Sequence, residues 1–226
     1  MKEKPTKDLF RKLAKKNGEH HEPIFDGIVD ADRFKKATSK VLWILREPWE
    51  ILEGDARGGG WSIVEEIAKN ENFGKGVRTY DVISRITFAI QNKIYNFKEA
   101  NRLVKKVSFN DSCKTLALVN IKKFPGSTKS SHRELNSYSI LYGDFILRQI
   151  EEIDPDVVIF GGTYGYMKRV KEFNVAINIH YGFESISNGV KDGRLYIEAY
   201  HPSQWTAVSQ EIYFNEIVES IKNHVR

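Results

Sequence analysis

Glu47, Asn120 and His201 are the residues of this chain whose types and settings could carry chemistry. Glu47 lies in Leu45-Arg46-Glu47-Pro48-Trp49, just past an apolar run, and the proline after it keeps its backbone extended. A carboxylate there could orient or activate a water; it could equally be a solvent-facing strand-end glutamate paired with Arg46. Asn120 interrupts the apolar run Leu116-Ala117-Leu118-Val119-Asn120-Ile121. A buried amide must find partners, and it offers a donor and an acceptor side by side, the pattern that reads a base edge. The other reading is an asparagine that bonds the backbone of a neighbouring loop. His201 follows an apolar run and precedes Pro202, which restricts its backbone. A neutral imidazole in that position could donate to an anion developing on a leaving group, or it could cap a turn.

Stacking and phosphate binding have candidates too. Trp49, Trp61 and Trp205 fall in loops, where exposed indoles serve as stacking platforms, whereas Trp43 lies within an apolar run and is expected in the core. Between Lys98 and Arg133 nine basic residues, Lys122 and Lys123 among them, face two acids, enough charge to neutralise several phosphates or simply to solvate ordinary helices. Arg57-Gly58-Gly59-Gly60-Trp61 permits close backbone approach but lacks the lysine of a phosphate loop. The other histidines, His20, His21, His132, His180 and His224, have no metal-ligand spacing, and Cys113 is the single cysteine, so neither a metal nor a cofactor is expected. The zinc deaminase pattern, which needs a later pair of cysteines, is also missing.

These residues need a frame. Val41–Leu45, Thr115–Ile121, Asp156–Phe160 and Leu195–Tyr200 read as buried parallel strands, with Ala176–Tyr181 a weaker fifth. Helical periodicity predicts Thr6–Lys16, Trp61–Asn70, Thr79–Ile94, Phe97–Val107, Ser131–Ile153 and Thr206–Val225, and Ser131 with Glu134 has capping-box spacing. Alternating strands and helices predict an α/β fold, three layers α/β/α around a mostly parallel sheet of four to five strands. Each strong run leads into a polar or glycine-bearing segment: Arg46-Glu47, Asn120 with Lys122-Lys123-Phe124-Pro125-Gly126-Ser127, Gly161-Gly162-Thr163, and His201-Pro202-Ser203-Gln204-Trp205. In open α/β sheets ligands bind at the carboxyl ends of the strands, so these four loops can converge on one pocket.

With 226 residues and 41% hydrophobic residues, a single domain over 1–226 is expected, with 1–38 as a helical extension packed on it. No run approaches the length of a membrane span, and the N-terminal stretch lacks an apolar signal core. Together with the lone cysteine this predicts a cytoplasmic monomer away from membranes.

In order and spacing the four segments resemble the uracil-DNA glycosylase superfamily, over roughly Val41 to Trp205. Members carry a motif ending in proline after the first strand and a His-Pro-Ser motif near the C-terminus. Val119-Asn120-Ile121-Lys122 followed by Phe124-Pro125-Gly126 is similar to the asparagine strand and proline loop of the iron–sulfur branch. Ile150 to Val158, with its Asp154-Pro155 turn and the following Gly161-Gly162, resembles that branch's helix, turn and glycine-ending strand. The branch's cluster cysteines are missing, and Leu45-Arg46-Glu47-Pro48-Trp49 stands where the family has Gly-Gln-Asp-Pro-Tyr or Gly-Glu-Ala-Pro-Gly.

The resemblance implies roles residue by residue. Glu47 matches the water-handling position, Asn120 the residue that reads a flipped base, and His201 the residue that stabilises the departing base anion. Ser203 matches a phosphate-contacting serine and Trp205 the wedge that fills the gap left by the nucleotide, with Lys122, Lys123 and Ser127 beside the DNA and Trp49 or Trp61 stacking on the base. The implied activity is hydrolysis of the N-glycosidic bond of a damaged, deaminated or modified base in DNA. The alternative is a catalytically divergent nucleotide- or nucleic-acid-binding protein on the same fold.

Overall fold

The computed structural model describes residues 4–48, 58–126, 131–177, 179–180, 186–204 and 209–224. Trp49, Ser127 and Trp205 lie outside them.

Along the chain run α1 (Lys7–Lys16), β1 (Gly27–Ile28), α2 (Ala31–Lys35), β2 (Val41–Leu45), α3 (Ile63–Lys69), α4 (Arg78–Gln91), α5 (Phe97–Val104), α6 (Phe109–Cys113) and β3 (Leu116–Asn120). They are followed by α7 (His132–Ile153), β4 (Val157–Gly161), α8 (Tyr164–Met167), β5 (Ile179–His180), β6 (Ser187–Lys191), β7 (Arg194–Ala199) and α9 (Gln210–His224). The protein is mixed α/β. One sheet holds the strands in the order β1-β3-β2-β4-β7-β6-β5. The four strong apolar runs of the sequence are its parallel centre, β3-β2-β4-β7. Antiparallel strands extend it on both sides, β1 beside β3 and β6 with β5 beside β7. The expected sheet of four to five strands is therefore corrected to seven and to mixed pairing. Gly27–Ile28 and Ser187–Lys191 carry no apolar run, because antiparallel strands outside the parallel centre need bury only one face.

All five residues of β2, β3 and β4 are buried. Alternation sends Trp43, Leu118, Ile159 and Ile197 into a cluster with α3, α4 and α9, while Leu42, Ala117, Val158 and Tyr196 join one with α7 and α8. Burial on both faces is why these strands read as continuous apolar runs rather than as alternating ones. Helix α7 starts as expected, the Ser131 side chain accepting from the Glu134 amide at 3.3 Å.

The N-terminal segment does more than pack a helix. Phe10 of α1 sits among Phe124, Tyr142 and Phe145 at ring-centroid distances of 5.8, 5.1 and 4.8 Å. Residues further along supply β1 and α2, which ties the extension into the sheet. Among the described residues no helix is long and apolar enough to cross a membrane.

Candidate functional site

Asn120 closes β3 opposite Leu45, the last residue of β2. The pairing continues past both strands, because the amides of Ile121 and Lys122 donate to the carbonyls of Leu45 and Arg46 at 2.9 Å each. Glu47 and Asn120 are thus held on one platform by backbone hydrogen bonds. Asn120 is 1% exposed. Its backbone amide donates to Asp26 at 2.7 Å, yet its side-chain Nδ2 is buried with no hydrogen-bond partner among the described residues. A buried donor left unpaired costs about 1–3 kcal/mol, so a fold that keeps one has a reason outside packing.

Asp26 is the hidden support of this strand end. Its carboxylate takes the Asn120 amide, the Lys123 ammonium at 2.6 Å and the Gln149 amide nitrogen at 3.1 Å. Both side chains of the Asp26–Lys123 pair are enclosed, at 1% and 2% exposure. Burial pulls the Lys123 pKa down while Asp26 holds it up. The sequence reading of Lys123 as a phosphate contact gives way to a structural role, since its ammonium is not offered to solvent.

Glu47 is enclosed as well, its side chain 5% exposed. Oε2 lies 3.1 Å from Lys122 Nζ, and Lys122 lies 3.1 Å from Glu134 on the first turn of α7. Burial is the largest single effect on the Lys122 pKa and lowers it, but the two carboxylates together outweigh burial and raise it above the ordinary lysine value. Among the described residues Oε1 of Glu47 is buried without a partner. One oxygen is fixed by a cation and the other remains for a small polar molecule, which answers the choice between a solvent-facing and an inward glutamate. Lys122 serves Glu47, so it too is not an open phosphate contact.

Room for this carboxylate depends on Gly126, whose amide donates to Pro48 at 3.0 Å. A Cβ at 126 would stand 2.5 Å from Glu47 Cδ and 2.6 Å from Oε2. Gly126→Ala is expected to displace the Glu47 carboxylate while shifting the melting temperature by only a few degrees, because the atoms met are the end of a side chain. Carboxyl-carbon NMR on the labelled glutamates checks it, with Gly165→Ala as the control, since a Cβ there meets nothing within 4 Å.

His201 arrives from the end of β7 and meets the Gly161-Gly162 turn at the end of β4. Gly162 has φ +68°, and a Cβ on it would lie 3.1 Å from Arg46 Nη2 and from the His201 amide nitrogen. Glycine is required on both counts, positive φ and close approach. Three strand ends, those of β2, β4 and β7, therefore meet around one imidazole. Burial, and then the charge of Arg46, push the His201 pKa down to about 4. The ring is neutral at pH 7. The Ser203 amide faces Nδ1 at 3.3 Å and the Ser203 hydroxyl lies 2.8 Å from it. A backbone N–H can only donate, so Nδ1 accepts, and the neutral ring carries its proton on Nε2. The arrangement presents an imidazole Nε2–H donor. Ser203 itself is exposed, but its hydroxyl contacts the histidine.

Trp61 is partly buried against the α3–α4 cluster, its ring 6.4 Å from Phe73, and so packs more than it displays. The basic stretch also divides. Lys114 pairs with Asp111, and Lys122 and Lys123 are paired inside, which leaves Lys98, Arg102, Lys105, Lys106 and Arg133 of those described. Asp26, Gly126 and Arg46 were not singled out from the sequence. Only the short spacing of Arg46 to Glu47 hinted at a role for it. Among the described residues no group of three or more histidine, cysteine, aspartate or glutamate side chains could hold a metal, and Cys113 is buried with its thiol pKa pushed up to about 12. No protein-family model matches the chain, and no curated protein matches it.

Proposed function

We propose that the protein is a DNA glycosylase of the uracil type, acting on a base turned out of the helix, on a three-layer α/β/α frame. The observation that carries this reading is a set of polar groups at the strand ends: a carboxylate oxygen on Glu47 and an amide donor on Asn120, both buried without a partner among the described residues, and an Nε2–H on a histidine kept neutral. In the reaction the bond between the sugar C1′ and the base nitrogen breaks, and its electron pair leaves with the base. Glu47 stabilises the cationic sugar and orients the water whose oxygen bonds to C1′. The water's proton passes to solvent or to the base. Nε2–H of His201 donates to the developing base anion. Asn120 Nδ2 donates to an acceptor on the base edge.

A gel-based base-release assay tests this, using labelled single- and double-stranded oligonucleotides that carry uracil, hypoxanthine, xanthine or common modified bases, cleaved afterwards with alkali. Cleavage at one base names the substrate. Asn120→Ala is expected to reduce that cleavage by about ten- to a hundredfold, the value of one paired amide edge. Equal rates in Asn120→Ala and the parent protein remove the base-reading role.

The second reading, binding without turnover, is favoured by the Lys122 ion pair, which neutralises one oxygen of Glu47. It predicts salt-sensitive retention of oligonucleotides and no alkali-labile product from any of them.

A further inference from the structure

A second cleft opens at the same end of the sheet, towards α7 and α8. Its volume is about 590 Å³, and its lining includes Arg46, His132, Asn136, Tyr166, Arg169 and Glu198, with Glu47, Asn120 and His201 outside it. That size falls within the roughly 300–1,000 Å³ of small-molecule sites. The alternation of β7 carries Glu198 and then Tyr200 to the face of Tyr196, the α7 side.

The cleft is lined by charges of both signs. Arg46, Tyr166 and Arg169 line the cleft together, and the two guanidinium charges lower the Tyr166 pKa against a larger rise from burial. That phenol lies 2.5 Å from His132 Nδ1. Among the described residues no ion pair joins Arg46 or Arg169 to a carboxylate. Nε of Arg46 and Oδ1 of Asn136 are buried with no hydrogen-bond partner. Glu198, also in the lining, acts on Tyr164. A carboxylate has about four acceptor positions, enough to take a hydroxyl beside its existing contacts.

We propose that this cleft is a second ligand site, for a small phosphorylated sugar or mononucleotide. Its phosphoryl group lies between Arg46 and Arg169 with the Tyr166 hydroxyl donating, and its sugar hydroxyls donate to Glu198. Two guanidiniums in one cleft match the dianion of a phosphomonoester better than the single charge of a strand phosphodiester. Arg46 also touches the Gly162 turn against which His201 rests, so an occupant would border on the first site without entering it.

Calorimetric titration of the whole protein with adenosine 5′-monophosphate, ribose 5-phosphate and adenosine tests the proposal. Both phosphates are expected to bind and adenosine not to. Arg169→Met, at an exposed position where folding is not at risk, is expected to weaken both by about tenfold or more, and Arg46→Met likewise. Absence of binding by both phosphates overturns the proposal, as does affinity unchanged in both variants. Binding only by an oligonucleotide, dependent on Arg169 and not displaced by the monophosphate, assigns the cleft to a nucleic-acid strand and overturns it too. The variants' base-release activity is read separately, so failure here leaves the glycosylase reading untouched.

Discussion

Alanine at position 201 is expected to slow base release by about 10²–10³-fold while the protein stays folded, since loss of one donor aimed at developing charge has about that effect. The ring touches the molecule through Ser203 and the Gly162 turn, and the elements it joins are held by their own ladders and clusters. Substitution therefore removes a donor more than it removes packing. Glu47→Gln, which keeps the shape and deletes the charge, is expected to match it in rate loss. Parent-like rates in both variants, on a substrate that the parent cleaves, sink the role assignment.

The pH dependence of the same residue offers a sharper reading, because an ordinary histidine and this one differ in the direction of the shift. Burial and Arg46 lower the His201 pKa from 6.5 to about 4. Between those two values the unfolded chain holds a proton that the folded protein does not. Stability therefore rises with pH across this window and is lost as the pH falls through it. The catalytic consequence has the same sign. Protonation would occur on Nδ1 and break its contact with the Ser203 amide, so the ring's fixed orientation persists from neutral pH down to near 4, and the acid limb of base release belonging to His201 falls there rather than near 6.5. Titration of the imidazole protons by NMR checks the value directly. A midpoint near 6.5 would show that solvent reaches the ring and that Arg46 does not act on it.

The largest effect on stability is expected at Lys123. Replacing it by methionine leaves Asp26 enclosed with the Gln149 and Asn120 donors but no cation, and breaking one side of a buried pair costs about 3–5 kcal/mol. For a chain of 226 residues that corresponds to a fall of roughly 6–20 °C in melting temperature. Asp26→Asn together with Lys123→Met removes both charges, and thermal unfolding is expected to recover part of the loss. A single substitution that melts within about 2 °C of the parent would mean that water reaches the pair. Because Asp26 also anchors the Asn120 amide, Lys123→Met is expected to weaken base recognition at temperatures where the fold survives. That effect separates positioning from bulk stability.

Much of the frame was written locally. Buried parallel strands are apolar along their whole length, so Val41–Leu45, Asp156–Phe160 and their two companions were visible as runs. Helix α7 carried its period and its cap in adjacent residues. The polar residues that end those runs were also visible, and so was the expectation that they would meet, since parallel strands place their carboxyl ends on one side. What escaped were pieces with no periodic demand, β1, α2, α6, α8 and β6, each short or one-sided, whereas β5 falls within the weaker run Ala176–Tyr181.

The chemistry of the site divides along the same line. Residue types and their chain order were enough to nominate Glu47, Asn120 and His201, because a carboxylate, an amide and an imidazole at strand ends differ from what packing alone requires. Charge counting could not tell that Lys122 and Lys123 are enclosed, since Asp26 and Glu134 come to them from distant parts of the chain. Nor could it show that Arg46 lies beside both His201 and the second cleft. Ionisation, tautomer and burial depend on neighbours brought together through space, and those neighbours exist only once the strands have paired.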